Sequence, residues 1–183
     1  SSDLQVAVDQ NQRMLDLYSK VGEAHLICGD VGDRNVVSEI WRHSSGAATV
    51  TSGFSCQPFS TLGDCKSHED DRSSSLTKTL KTAYYLQSQL IILECVAPAS
   101  QDGFVRNELS HFMKCTGFHC TQTELKLDHV WPCRRHRSWW ILSSPDIGPV
   151  ELKAWPVLQN IQEVQQVIPD IRFWASNDEH QLA

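Results

Sequence analysis

The sequence has no apolar run that approaches the roughly 20 residues a helix needs to cross a lipid bilayer. Its start, Ser1-Ser2-Asp3, has no basic region followed by an apolar one. Internal repeats are absent, and the only biased stretch is a Ser-rich segment from Ser60 to Ser75. With 183 residues and a 40% hydrophobic content, we therefore predict one globular domain without a membrane-spanning segment.

The sequence also has no Cys-x-x-Cys pair, although it has seven cysteines. An odd number at scattered spacings predicts neither a disulfide framework nor a standard zinc site, and it favours an intracellular, reducing compartment. His111 and Cys115 are four residues apart on a predicted helix and form a candidate metal pair, but cysteines are also common as inert buried residues. We predict no metal site.

The sequence also lacks a net positive charge, because its formal net charge is −6. Affinity for the phosphates of nucleic acids comes mainly from Lys and Arg. The composition therefore argues against a strong nonspecific nucleic-acid binder.

Short apolar runs alternate with amphipathic segments along the chain. The periodicity predicts strands over 4–8, 25–28, 47–51, 90–93, 118–127 and 138–142, and helices over 13–21, 36–41, 76–87, 105–115 and 158–168. The polar stretch from Ser60 to Ser75 predicts an exposed loop that is long enough to be a lid. Alternating strands and helices predict an α/β fold with a parallel sheet and a site along the carboxyl edge of its strands.

Polar residues follow several of these strands, and each has an ordinary structural interpretation. Asp9 follows the first strand and is a candidate helix N-cap, and Gly29-Asp30 is a candidate turn. Cys56 follows the third strand and is interpretable as a structural cysteine. Glu94 comes directly after the fourth strand and is interpretable as a solvated residue at the strand end. Arg135 and Arg137 fall on one face of a strand, which is typical of an exposed surface.

The joint order of these motifs resembles that of the DNA (cytosine-5) methyltransferases, over roughly residues 4 to 170. Gly53-Phe54-Ser55-Cys56-Gln57-Pro58 is similar to the Pro-Cys-Gln nucleophile loop of the family. The other matching segments are Glu69-Asp70-Asp71-Arg72-Ser73 for the Asp-Ser-Arg lid, Glu94-Cys95-Val96 for Glu-Asn-Val, Arg135-His136-Arg137 for Arg-x-Arg, and Asp9 with Gly29-Asp30-Val31 for the methyl-donor site.

The resemblance implies a chemistry for these residues. Cys56 would add as a thiolate to C6 of a flipped cytosine, so that C5 takes a methyl group from S-adenosylmethionine. Glu94 would bind the N3 edge of the base, and Arg137 would contact its O2 with Arg135 beside it. The methyl donor would be held by Asp9, Asp30 and Val31. The resemblance also implies DNA as the partner and the nucleus as the location.

The same resemblance implies a Rossmann-like class I methyltransferase sheet in three layers that is incomplete. Nothing before Leu4 matches the Phe-x-Gly-x-Gly loop of the family, so the central first strand is not in this chain. We expect a gap between the strands that end at Asp9 and Thr51. Residues 1–156 are expected to form a partial catalytic domain, and 157–183 an extension toward an absent target recognition domain.

Two functions remain open. Cys56, Glu94, Arg135 and Arg137 favour a DNA (cytosine-5) methyltransferase fragment that becomes active when completed. The missing cofactor loop, the missing target recognition domain and the acidic net charge favour an inactive scaffold. Three local departures from the family add to this: Ser55 in place of Pro, Cys95 in place of Asn and Cys133 in place of Gln. Such a scaffold would pack in a protein complex, with a protein partner filling the gap in the sheet.

Overall fold

The computed structural model describes residues 5–20, 22–44, 46–54, 74–126 and 136–152. Its strands are β1 (Val6–Asp9), β2 (His25–Cys28), β3 (Thr49–Gly53), β4 (Leu90–Val96), β5 (His119–Lys126) and β6 (His136–Ser143). Its helices are α1 (Gln12–Tyr18), α2 (Arg34–Ser44), α3 (Ser74–Tyr85) and α4 (Gly103–Thr116), with a 3-10 helix at Ala97–Gln101. None of the helices in these ranges has the length and apolar character needed to span a membrane.

The strands form two separate sheets. One contains β1 and β2 in parallel, and the other has four strands in the order β3-β4-β6-β5. β3 and β4 are parallel, whereas β6 is antiparallel to both β4 and β5. The mixed α/β class is confirmed, but the prediction of a parallel sheet is wrong for β6, which runs opposite to both of its neighbours. Only residues 127–135 separate β5 from β6, too few for the crossover of about a dozen residues that parallel neighbours need.

A large cavity lies between the two sheets. Its volume is about 1050 Å³, and its wall includes Val6 and Val8 of β1 and every residue of β3. Among the described residues, β1 pairs only with β2, and β3 pairs only with β4. The gap that we expected between these strands is therefore present.

The two sheets have hydrophobic cores of different size. Among the residues that the structure describes, the larger core contains fourteen buried residues, and alternate residues of β4 supply its centre: Ile91, Leu93 and Cys95. In the same part of the chain, the smaller core has four buried residues, which are Ile27, Val36, Ile40 and Leu86. Burial of apolar area is the main stabilising contribution to folding, so the β1–β2 sheet is the less strongly stabilised part.

Helix α4 illustrates how local sequence determines the elements. Its N-cap is Asp102, whose carboxylate accepts hydrogen bonds from the backbone N–H groups of Phe104 and Val105. The helix ends at Gly117, which has a φ of 77°, a left-handed conformation that glycine adopts without steric cost. These two residues set the length of the helix that packs Val105 and Leu109 into the larger core.

Candidate functional site

The predicted site residues that the structure describes lie toward the carboxyl ends of β1 to β4. Asp9 is the last residue of β1, Asp30 and Val31 follow β2, and Glu94 lies in β4 beside the last residue of β3. Asp9 and Val31 border the cavity together with Gly53 and Phe54. Asp30 is not part of the cavity wall. Cys56, Arg135 and the segment from Glu69 to Ser73 lie outside the described residues.

Asp9 is exposed and organises the turn after β1. One carboxylate oxygen, Oδ1, accepts a hydrogen bond of 2.7 Å from the backbone N–H of Asn11. Asn11, and not Asp9, is the N-cap of α1, because its side chain accepts from the N–H of Arg13. The alternative interpretation of Asp9 as a helix N-cap is therefore wrong. Within the described ranges, Oδ2 of Asp9 has no hydrogen-bond partner, so it is available to a ligand in the cavity.

Asp30 ties the turn after β2 to helix α3. Its Oδ1 accepts from the N–H of Gly32 at 2.8 Å, and its Oδ2 lies 2.5 Å from the ammonium nitrogen of Lys78. The Lys78 hydrogen bond is the main reason why the pKa of Asp30 is lowered, and the Gly32 N–H adds to it. The Thr82 hydroxyl donates to the carbonyl of Val31 at 2.8 Å. Asp30 thus positions the backbone of Val31 at the cavity wall.

Glu94 and Arg137 form an ion pair across neighbouring strands. Arg137 Nε lies 2.8 Å from Glu94 Oε1, and the two side chains are 25% and 22% exposed. In the β4–β6 register Glu94 pairs with Trp139, so Arg137 is its diagonal neighbour on the same face. The structure therefore brings together two of the four predicted catalytic residues.

The position of Glu94 differs from the expectation. We predicted that it would follow the end of the strand, but β4 continues to Val96 because β6 pairs with it as far as Arg137. The indole Nε1 of Trp139, on the partner strand, is buried and has no hydrogen-bond partner among the described atoms.

Gly53 and Phe54 lead the chain from β3 toward the segment that contains Cys56. Gly53 pairs with Glu94, and a Cβ at Gly53 would lie 3.4 Å from Glu94 Oε2. The absence of a side chain thus leaves room for the carboxylate. Phe54 is buried against Trp140, with ring centroids 5.8 Å apart, and its carbonyl is 3.8 Å from Cys95 Sγ. Cys95 stands where the family has Asn. Its thiol is a weak hydrogen-bond donor, and it contacts the start of the segment that leads to Cys56.

The sequence did not indicate Lys78 or Thr82 as contributors to the site. Lys78 and Thr82 lie on α3, more than forty residues from their partners in the turn after β2. Lys78 and Thr82 are four residues apart, and this spacing places them on one face of the helix. The neighbouring sequence does not indicate which part of the protein that face contacts.

Comparison with solved structures shows a common fold. The Dnmt2 methyltransferase of S. pombe aligns with a TM-score of 0.60 and 18% identity, over 90% of this chain and 47% of that protein. The methyltransferase EhMeth of Entamoeba histolytica gives 0.63 and 16%, over 84% and 49%, and a DNMT2 mutant of Spodoptera frugiperda gives 0.61 and 20%, over 85% and 48%. No family model and no curated protein sequence matches the chain. The chain spans under half the length of these structures, and over that span it shares the fold of these methyltransferases.

Proposed function

We propose that this chain is part of a DNA (cytosine-5) methyltransferase catalytic domain, which transfers a methyl group from S-adenosylmethionine to C5 of cytosine when its missing parts are supplied. The observation that carries the proposal is the Glu94–Arg137 pair at 2.8 Å, beside the end of β3. The sequence places Cys56 three positions after Gly53, the strand partner of Glu94. A carboxylate and a guanidinium next to a nucleophile segment match the polar edge of a cytosine.

Each proposed catalytic residue has a distinct task. The Cys56 thiolate forms a bond to C6 of the flipped base, and this bond breaks again when the proton leaves C5 after methylation. The Glu94 carboxyl group, when it holds a proton, donates a hydrogen bond to N3, where negative charge develops, and Arg137 contacts O2, with Arg135 beside it. In the absence of a base, Glu94 and Arg137 bind each other. That contact fixes the positions of both side chains beside the end of β3.

The residues present fit the methyl donor in part. S-adenosylmethionine, when bound, supplies an electrophilic methyl group. Asp9 Oδ2 and the backbone at Val31 border the cavity and would hold its ribose and adenine. Asp30 has both carboxylate oxygens engaged, so its contribution would be to fix the turn. The cavity of about 1050 Å³ exceeds the roughly 300–1,000 Å³ of ordinary ligand sites, because it also includes the gap in the sheet.

That gap favours a second candidate function, an inactive methyltransferase-derived scaffold in a protein complex. The edges of β1 and β3 that face the cavity have no strand partner among the described residues. An added strand would satisfy their backbone groups by β-augmentation. Val6, Val8 and Val50 in the wall would favour apolar side chains on that strand. In this case a protein partner, and not DNA, is the ligand.

The catalytic proposal is tested by trapping the covalent bond to DNA that contains 5-fluorocytosine, in the presence of S-adenosylmethionine. The chain is assayed alone and with a fragment that supplies the missing strand and cofactor loop. We expect an adduct with the completed protein, its loss in Cys56→Ala, and a strong reduction in Glu94→Gln. Cys28→Ala, which removes an exposed cysteine, should leave the adduct unchanged.

Two outcomes would refute the enzyme. One is no adduct with the completed protein, and the other is an adduct that persists in Cys56→Ala. If a stable stoichiometric complex forms in which β3 amides become protected from hydrogen exchange, but no adduct forms, the scaffold replaces the enzyme. The catalytic proposal includes three further statements. Residues 1–156 form the catalytic part, residues 157–183 form its extension, and the protein is located in the nucleus.

A further inference from the structure

His25, Glu39 and His43 meet on the surface of the smaller sheet. His25 Nε2 lies 3.2 Å from Glu39 Oε1, and the rings of His25 and His43 stack with centroids 3.5 Å apart and an interplanar angle of 17°. One ligand atom from each of the three residues lies within 4.8 Å of the others. Ligand atoms of two imidazoles and one carboxylate thus lie close together.

The fold explains why these residues converge. His25 and Ile27 are two positions apart on β2, so both side chains point to the face that α2 covers. Ile27 packs there against Val36 and Ile40 of α2. Glu39 and His43 are four residues apart on α2, which places them on one helix face. The cluster therefore continues the buried β2–α2 contact outward to the surface.

The cluster lies away from the proposed catalytic site. His25 is the first residue of β2 and Cys28 is the last, so the strand separates the cluster from the turn at Asp30 by about 10 Å. His43 lies in the last turn of α2, where the helix dipole favours a cation. These relationships indicate a site that is independent of the chemistry proposed for Cys56.

We propose that His25, Glu39 and His43 bind a divalent transition metal of the zinc type, with water at the remaining coordination position. Imidazole nitrogen and carboxylate oxygen are ordinary ligands of such ions. Bonds of about 2.1 Å in a tetrahedral site separate neighbouring ligand atoms by about 3.4 Å. The His25–Glu39 distance of 3.2 Å already matches this value, and a side-chain rotation of His43 completes the set.

A hydrogen bond between His25 and Glu39 explains only part of this arrangement, because His43 contributes no ion pair among those found in the described ranges. The pair considered from the sequence, His111 and Cys115, offers only two ligand atoms, 3.7 Å apart.

A metal at the three-residue cluster would connect β2 to the end of α2. Since the smaller core has four buried residues, the bound metal would stabilise this part of the fold.

The test is titration of the metal-free protein with Zn²⁺ by calorimetry and with Co²⁺ by visible absorption. We expect one site per chain that is lost or weakened at least tenfold in His25→Ala, Glu39→Gln and His43→Ala. His111→Ala serves as the matched control and should bind like the wild type. The Co²⁺ spectrum should lack a thiolate charge-transfer band, because no cysteine belongs to the set.

Glu39→Gln also keeps the test independent of folding defects, because it preserves the size and the hydrogen-bonding capacity of the side chain. Its melting temperature without metal should equal that of the wild type, whereas only the wild type should gain thermal stability with Zn²⁺. Equal metal affinity in wild type and Glu39→Gln would overturn the proposal. So would a thiolate band, or loss of the site in His111→Ala.

Discussion

Arg137 Nε lies 2.8 Å from Glu94 Oε1, and this ion pair joins β6 to β4 diagonally. Both side chains are about three-quarters buried, with 25% and 22% exposed. A charge pair in this environment is screened less than one on the surface and pays less desolvation than one in the core. The pair is therefore expected to stabilise the fold measurably as well as to orient both groups.

The first prediction is that Arg137→Met lowers the free energy of unfolding by about 1–2 kcal/mol, because it removes the ion pair between Arg137 and the Glu94 carboxylate. Urea unfolding of Arg137→Met, Glu94→Gln and the double variant should give a coupling energy of about 1 kcal/mol. The double-mutant cycle is needed because Glu94 makes a further interaction.

Arg13→Met is the control for this cycle, since Arg13 is exposed, and should change stability by less than about 0.5 kcal/mol. Additive effects of the two site substitutions would show that the pair contributes nothing to stability.

The second prediction concerns pH and the Asp30–Lys78 pair. The pKa of Asp30 is lowered in the folded state by Lys78 and by the Gly32 N–H, so its carboxylate stabilises the fold above the unfolded pKa. The advantage of wild type over Asp30→Asn should be complete above about pH 5. It should decline as pH falls below 3.8 and disappear below the lowered pKa of the folded protein.

The size of this effect should be at most about 1 kcal/mol, because both side chains are about one-third exposed. Stability measured against pH for Lys78→Met should lose the larger part of this pH-dependent increment, because the Gly32 N–H still lowers the pKa of Asp30. A pH profile of Asp30→Asn parallel to that of the wild type would contradict the assignment.

The third prediction concerns the contact between Gly29 and Val36. A Cβ at Gly29 would lie 2.6 Å from Val36 Cγ2, and the branched valine side chain has little freedom to move away. Gly29→Ala should therefore cost about 1–3 kcal/mol. Adding Val36→Ala should recover part of this loss, so that the double variant is more stable than the sum of the single effects.

Gly103→Ala is the matched control, because a Cβ there meets nothing within 4 Å. It should be neutral or stabilise the protein by up to about 1 kcal/mol. Thermal unfolding of the four variants measures all of these differences. Equal costs for Gly29→Ala and Gly103→Ala would show that the contact is unimportant.

The fourth prediction is that the two sheets differ in local stability. The β1–β2 sheet has two strands and packs on four buried residues, whereas the larger sheet packs on fourteen. An isolated two-stranded sheet is marginally stable, so amides of β1 and β2 should exchange at least about tenfold faster than those of β4 and β6. Hydrogen exchange by mass spectrometry tests this, and uniform protection of both sheets would disprove it.

Much of the local structure was predictable because it depends on nearby residues. The alternation at His25 to Cys28 predicted β2 with its observed bounds, and the spacing of Val36 and Ile40 predicted α2. The extent of β4 was not predictable, because pairing with β6 extends it beyond Glu94. The candidate N-cap Asp9 lies two residues before the observed N-cap of α1, Asn11. Both residue types are good caps, and only the path of the chain distinguishes them.

The amino-acid sequence by itself determined the order of strands and helices and the order of the motifs, because periodicity and spacing are properties of the chain. Only the tertiary structure decided which side chains meet. Arg137 reaches Glu94, Lys78 reaches Asp30 and His43 reaches His25 through strand register and helix packing, which depend on contacts between distant segments. The cavity between β1 and β3 is of the same kind, since it exists only where two sheets face each other.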